Sequence, residues 1–321
     1  MRARQEKLKL FILLSQAFGL LITLLCSLIG ALYIFDGEWL YAFPISMIFV
    51  VSMYYLVVFF CKEKENRRKK GYPPVFYYLF GVYAIMSIVL SFFVLHFFNV
   101  EINEKQEIQE IGMKKVDGID EIYKSYNQQY DQFLKTLESD INLQITNYIN
   151  YPQNRISISN TLSQAPYNLD IPTIDRFANA ANPAQEVSTD VGYSRQAFIN
   201  NGKQILTHNG NMTTKSVEEF ITAQKNTIEG WDRFNIGKSL SDLDKRIIED
   251  YAALNRYLMN RSSNNYQIGV QTQNYLGETL MNKPLELAAK HFGPITLIVL
   301  VFFQILILLP YFITRGKSFG N

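Results

Sequence analysis

Lys62 to Lys70 reads KEKENRRKK, nine residues of which six are basic. It separates two apolar runs, each long enough to cross a bilayer. Lys and Arg beside a span resist translocation, so a loop of this composition predicts the cytoplasmic face of a membrane and orients the rest of the chain.

Working outward, four stretches have the length and apolarity of membrane spans: Leu8 to Phe35, Trp39 to Phe60, Val75 to Phe98 and Phe292 to Ile313. None has an Asp, Glu, Lys or Arg in its interior. The 321 residues are 48% hydrophobic, yet mean hydropathy is −0.02, so a long polar segment must balance the spans. That segment is 100–290. The sequence therefore predicts an all-α membrane protein: an N-terminal region, 1–99, with three transmembrane helices; a large, mainly helical extracytoplasmic domain, 100–290, inserted between helices 3 and 4; and 291–321 as the fourth helix with a short tail.

Charge follows the same plan. The pieces read as cytoplasmic hold 12 basic against three acidic residues, Glu6, Glu63 and Glu65, whereas the large loop holds 24 acidic against 19 basic residues. The expected location is a plasma or inner membrane, with both termini cytoplasmic and 100–290 periplasmic or extracellular. The net charge of +2 hides this separation and points to no nucleic acid. Cys26 and Cys61 fall within or at the cytoplasmic end of a span, so the large loop has no disulfide framework. The first apolar run is too long for a cleaved signal and no A-x-A site follows it, so it reads as a signal anchor.

Within the first span, Ser15, Gly19, Thr23, Ser27 and Ala31 recur every four residues, a ridge of small side chains along one helix face that admits another helix at close range. Gln16 there and Gln304 in the fourth span are amides in hydrocarbon, where a hydrogen-bond partner is expected. Trp39 and Tyr41 mark one membrane interface, and Tyr72, Phe76, Tyr77 and Tyr78 the other.

Beyond Phe98 the chain continues as a charged helical face, Glu101, Glu104, Glu107 and Glu110. It then becomes a seam, Val116, Ile119, Tyr123, Tyr126, Tyr130, Phe133, Leu137, Ile141, Ile145 and Tyr148, spaced as in an amphipathic or coiled-coil helix. Gly112 and Gly118 are candidate breaks. Pro152, Pro166, Pro172 and Pro183 predict a loop-rich cap over 150–215, with one short helix from Thr173 to Ala181. Turns at Asn200-Asn201-Gly202 and Asn209-Gly210 flank a candidate hairpin at Gln204 to Thr207. Ser216 with Glu219 forms a capping box before a helix running to Trp231. A second helix has the face Leu240, Leu243, Ile247, Tyr251, Leu254 and Leu258. A last helix is expected from Val270 through Leu276, Leu280 and Leu287, bent at Pro284.

No H-E-x-x-H, C-x-x-C, G-x-S-x-G, S-x-x-K or P-loop pattern occurs, so no catalytic, metal-binding or cofactor-binding residue is predicted, no cofactor is expected, and the reading is non-enzymatic. His96 and His291 fall at the same end of the third and fourth spans, where they form a candidate interfacial pair. Transport has little support, because the span interiors lack acids and bases. The order of short and long loops is similar to that of tetraspanins in topology alone. The Cys-Cys-Gly signature and loop cysteines of that family are absent, so the likeness implies nothing about function.

The expected role is a structural or assembly subunit of a larger membrane or envelope complex. Its partners would be the lipid bilayer, other membrane or envelope proteins and further copies of itself. The alternatives are a sensor or receptor subunit that signals through a partner, and a channel or transporter subunit.

Overall fold

The computed structural model describes residues 2–66, 73–207, 209, 211–291 and 293–313. It is mostly helical and divides into two compact units, one of residues 1–110, 231–240 and 278–321, the other of residues 111–230 and 241–277.

The first unit is a bundle of α1 (Arg2–Ile34), α2 (Trp39–Asn66), α3 (Pro74–Asn99) and the C-terminal helix Pro294–Ile313. The first three are long and apolar enough to cross a membrane, and Leu297–Ile313 is a shorter apolar helix. A helix that is apolar all round satisfies its backbone internally and can face lipid on one side and its neighbours on the other. The inner sides interlock through Leu20, Val50, Met53, Val57, Phe60, Phe76, Tyr83, Leu90 and Ile307. A second cluster joins Leu28, Ala31, Leu32 and Ala42.

The α1–α2 turn ends α1 in a Schellman arrangement. Asp36 takes φ 50° and Gly37 φ 79°, and the Gly37 N–H returns to Leu32 O at 2.7 Å. At the far end of α2, Lys64 Nζ donates to Tyr311 O at 2.6 Å and Phe312 O at 3.4 Å. An ammonium there meets carbonyls that the last turn of a helix leaves unpaired. Arg67 to Lys70, the most basic part of the opening stretch, lie outside the described residues, as do Phe292, Arg315 and Lys317.

α3 does not stop where its apolar sequence stops. It passes through a π turn, Val100–Glu104, into α4 (Lys105–Asn150), giving one helix of 77 residues, Pro74–Asn150. Gly112 and Gly118, the candidate breaks, both lie inside α4. Gly118 is present because the Tyr275 ring lies against it: a Cβ there would stand 2.6 Å from Tyr275 Cγ.

In the second unit the α4 seam forms the core. Val116, Ile119, Tyr123, Tyr126, Tyr130, Phe133, Ile141 and Ile145 are buried, while Leu137 and Tyr148 are half-buried. The cap is more helical than the sequence predicts, with α5 (Arg155–Leu162), α6 (Ile171–Asn179) and α7 (Pro183–Gly202). Proline in the sequence reads as a breaker, but Pro152, Pro172 and Pro183 each sit in the first turn of a helical element, where a missing N–H and a fixed φ do no harm. Asp170 caps α6, its side chain accepting from Thr173 N–H at 3.0 Å. Asn200 to Gly202 end α7 instead of forming a free-standing turn.

The hairpin is present as β1 (Gln204–Leu206) paired antiparallel with β2 (Met212–Ser216), with a register irregularity between Gln204 and Leu206. The capping box also forms: Ser216 Oγ accepts from Glu219 N–H at 3.0 Å, and Ser216 N–H donates to Glu219 Oε2 at 3.3 Å. It starts α8 (Val217–Glu229), which stops two residues short of Trp231. Trp231 adopts φ 50° and turns the chain. α9 (Ile236–Arg261) buries Leu240, Leu243, Ile247, Leu254 and Leu258.

The helix expected from Val270 does not form. Residues 269–283 run irregularly with 3-10 turns at Thr272–Asn274 and Leu280–Asn282, since Gly269, Gly277 and the polar run Gln271 to Asn274 leave too few apolar positions to define a buried face. Pro284 begins α10 (Pro284–His291) instead of bending a longer helix, and α11 (Pro294–Ile313) follows.

Candidate functional site: a π turn with two clamped carboxylates

The π turn Val100–Glu104 immediately follows the apolar part of α3 and carries Glu101 and Glu104. An isolated carboxylate at such a position would be heavily penalised by desolvation, so its partners decide what it does. Glu101 Oε1 accepts from the Tyr33 hydroxyl at 2.6 Å, Trp231 Nε1 at 2.9 Å and Arg233 Nε at 2.8 Å. Its Oε2 accepts from Arg233 NH2 at 3.0 Å. The guanidinium thus grips the carboxylate with both prongs, the strongest common geometry for this pair. Lys105 Nζ lies 5.3 Å over the Trp231 ring, placing a second cation beside the cluster.

Glu104, its side chain 3% exposed, is bound by neighbouring residues of α10: Lys290 Nζ at 2.8 Å and His291 Nε2. Lys290 also stands 3.6 Å from Glu107 Oε2. Burial alone would push both carboxyls up. Hydrogen bonds from Arg233, Tyr33 and Trp231 outweigh burial at Glu101, those from Lys290 and His291 do so at Glu104, and both groups are held below the ordinary glutamate range.

The two candidate histidines therefore take different partners. His96, buried in α3, makes a 2.7 Å hydrogen bond from Nε2 to Met281 O. The carbonyl can only accept, so the proton sits on Nε2. His291 engages Glu104. Among the described residues no group of three or more His, Cys, Asp or Glu is placed to hold a metal ion.

The small-residue ridge faces into the bundle. Thr23, Ser27 and Ala31 are buried, as is Gly19, with Ser15 half-buried. A Cβ on Gly19 would lie 3.0 Å from Leu306 Cβ of α11, so this face is occupied within the chain. Thr23 Oγ1 donates to Gly19 O at 2.7 Å. Gln304 meets the expectation for an intramembrane amide: its Oε1 accepts from the Tyr83 hydroxyl at 3.1 Å and its Nε2 donates to Ser91 Oγ at 3.3 Å. Gln16 does not, since it is buried with Nε2 lacking a hydrogen-bond partner.

The second unit has its own polar node. Tyr123 Oη donates to Asp250 Oδ2 at 3.0 Å and accepts from Leu206 N–H at 3.0 Å. Arg246 NH1 donates to Leu206 O at 2.8 Å and reaches Asp250 Oδ2 at 3.5 Å. Both backbone groups of one β1 residue are thereby tied to α4 and α9. Burial raises the Asp250 carboxyl above its ordinary range, and the Arg246 charge and the Tyr123 hydrogen bond only partly offset it.

Tyr123→Phe would leave the Leu206 N–H unsatisfied and Asp250 short of a donor, an expected loss of about 2 kcal/mol in unfolding measurements on the full chain. Asp250→Asn, which keeps an acceptor for Tyr123, is expected to be near neutral at pH 7. A raised carboxyl stabilises the fold fully below the ordinary aspartate value and loses that contribution as pH rises through its folded value. The Asn variant should therefore lack this loss as pH rises past the ordinary value of 3.8. A Tyr123→Phe protein with unchanged stability would show that the node does not hold β1 to the helices.

Glu101 and Glu104 escape a sequence reading because they look like the first rungs of a solvated face with Glu107 and Glu110. The one available signal is their place directly after an apolar span, and their partners are more than a hundred residues away in sequence, apart from Tyr33. Comparison with family models, curated proteins and solved structures finds no match to this chain.

Proposed function

We propose that the chain is a non-enzymatic, multi-pass membrane protein that acts as an assembly subunit of a larger membrane or envelope complex, with its partner contacts made by the second unit. The observation that carries this reading is the exposure of large apolar side chains within residues 143–193. Leu143, Ile156, Ile171 and Tyr193 are 59%, 81%, 59% and 74% exposed, large apolar side chains that the second unit leaves uncovered and that a partner would cover. The small-residue ridge, by contrast, is buried inside the bundle from Gly19 to Ala31. The basic loop at 62–70 supports an orientation with both termini cytoplasmic and the second unit on the opposite side of a plasma or inner membrane.

The test is purification from the native source in gentle detergent, with mass determination and identification of what accompanies the chain. Defined partners at fixed stoichiometry are expected, and Ile156→Asp with Tyr193→Asp should release them while leaving the melting temperature unchanged. A lone chain that behaves identically with and without these substitutions would overturn the reading. A second reading, an extracytoplasmic sensor subunit, is favoured by the Pro74–Asn150 helix, which continues from the third span through the π turn into α4. It predicts ligand-dependent stabilisation of the full chain.

A further inference from the structure

A π turn accommodates one residue more than the α-helical path between the same flanking helices, and it packs less well, so it persists only where side chains hold it. Here the holding groups are Glu101 and Glu104. We propose that the turn is a movable register joint: the surplus residue can slide from Val100–Glu104 into the first turn of α4, while α3 and the rest of α4 keep their places.

The geometry defines the second state. Each residue the surplus passes moves by one helical position, a rotation of about 100°. Asn103 then occupies the place of Glu104, and Gln106 that of Glu107. These are the two carboxylate positions that Lys290 spans, at 2.8 Å and 3.6 Å. Both incoming side chains are amides, which can accept from Lys290 and His291 without bearing charge. Lys105 leaves its position over Trp231, and Glu104 takes that place.

The slide stops before Ile108, which is 1% exposed and whose replacement by Glu107 would bury an unpaired charge. The shift is therefore confined to residues 103–106. Two alternative registers of one segment, one charged and one neutral towards α10, constitute a bistable element of the kind that conformational coupling requires.

Two experiments on the full chain in lipid nanodiscs test this. In a Cys26→Ala, Cys61→Ala background, spin labels at Lys105, half-buried, and Leu285, exposed, report one distance population when Glu104 is present. Glu104→Gln, which keeps the hydrogen-bonding shape but removes the charge, is expected to add a second, displaced population. An unchanged single population in a folded Glu104→Gln protein would overturn the joint.

Deletion of Ile102, which is 73% exposed, removes the surplus residue and should leave the melting temperature within about 3 °C of the parent. Deletion of Gln128 in mid-α4, where nothing is surplus and the seam falls out of phase, should lower it by more than about 10 °C. Equal damage from the two deletions would show that the turn holds no surplus residue and would overturn the proposal.

Discussion

Gly30→Ala is expected to prevent closure of the apolar bundle, at a loss of about 4 kcal/mol or more, in the range reserved for severe steric defects. A Cβ at Gly30 would lie far inside van der Waals contact distance of Phe93 O, 3.0 Å from Phe93 C and 3.3 Å from Phe97 N. All three atoms belong to the backbone of α3. No rotamer change relieves such a clash, so α1 and α3 must separate, and Ala31 at 0% exposure and Leu32 at 1% would lose their packing with them.

Gly81 supplies the control. It lies in α3 with open space for 4 Å around the place a Cβ would take, so Gly81→Ala should be neutral or stabilising by up to about 1 kcal/mol. Thermal unfolding of the two variants in one detergent decides the matter. If Gly30→Ala melts with Gly81→Ala, the close approach of α1 to α3 is not the contact that organises the bundle.

Gly30 also shows which parts of the fold are legible in the sequence. Periodicity exposes a ridge of small residues, and Ser15 to Ala31 stand out by it. The closest contact is nevertheless made by a glycine one position off that ridge, because the ridge register records one helix face while α1 packs against α2, α3 and α11. The α4 seam and the α9 face are legible for the same reason: long, regular patterns encode burial directly. The Ser216–Glu219 box is legible because capping is local chemistry.

The cap is misread for the opposite reason. Proline speaks only about its own N–H and φ, and whether Pro172 and Pro183 end a helix or begin one depends on the residues after them. Gly118 is similar: it reads as a helix breaker until Tyr275 is placed against it. The clamped carboxylates are the least legible, since no spacing rule connects Glu101 with Trp231 and Arg233, or Glu104 with Lys290 and His291.

Glu101→Ala is the second large effect, and its size follows from what the substitution leaves behind. Tyr33 Oη, Trp231 Nε1 and the Arg233 fork all converge on this one carboxylate, whose side chain is 11% exposed. Removing one member of such a set strands the others, a loss of about 3–5 kcal/mol for a fully buried pair. Arg233 is 47% exposed and can recover hydration, so about 2–4 kcal/mol is expected here. Glu101→Gln keeps an acceptor for Tyr33 and Trp231 and should lose roughly half as much.

The acid dependence separates a charge effect from lost packing. Because the Glu101 carboxyl is held below its unfolded value, its contribution is complete above the ordinary glutamate range and is lost as pH falls through the folded value. Glu104 has the same sign. Asp250, with its carboxyl raised, has the opposite one. The melting-temperature gap between the parent and Glu101→Gln should therefore be widest near pH 7 and narrow on acidification towards pH 3, while Asp250→Asn alters the profile in the reverse direction. A gap that stays constant across that range would mean that Glu101 acts through shape alone, and the electrostatic clamp on the π turn would have to be abandoned.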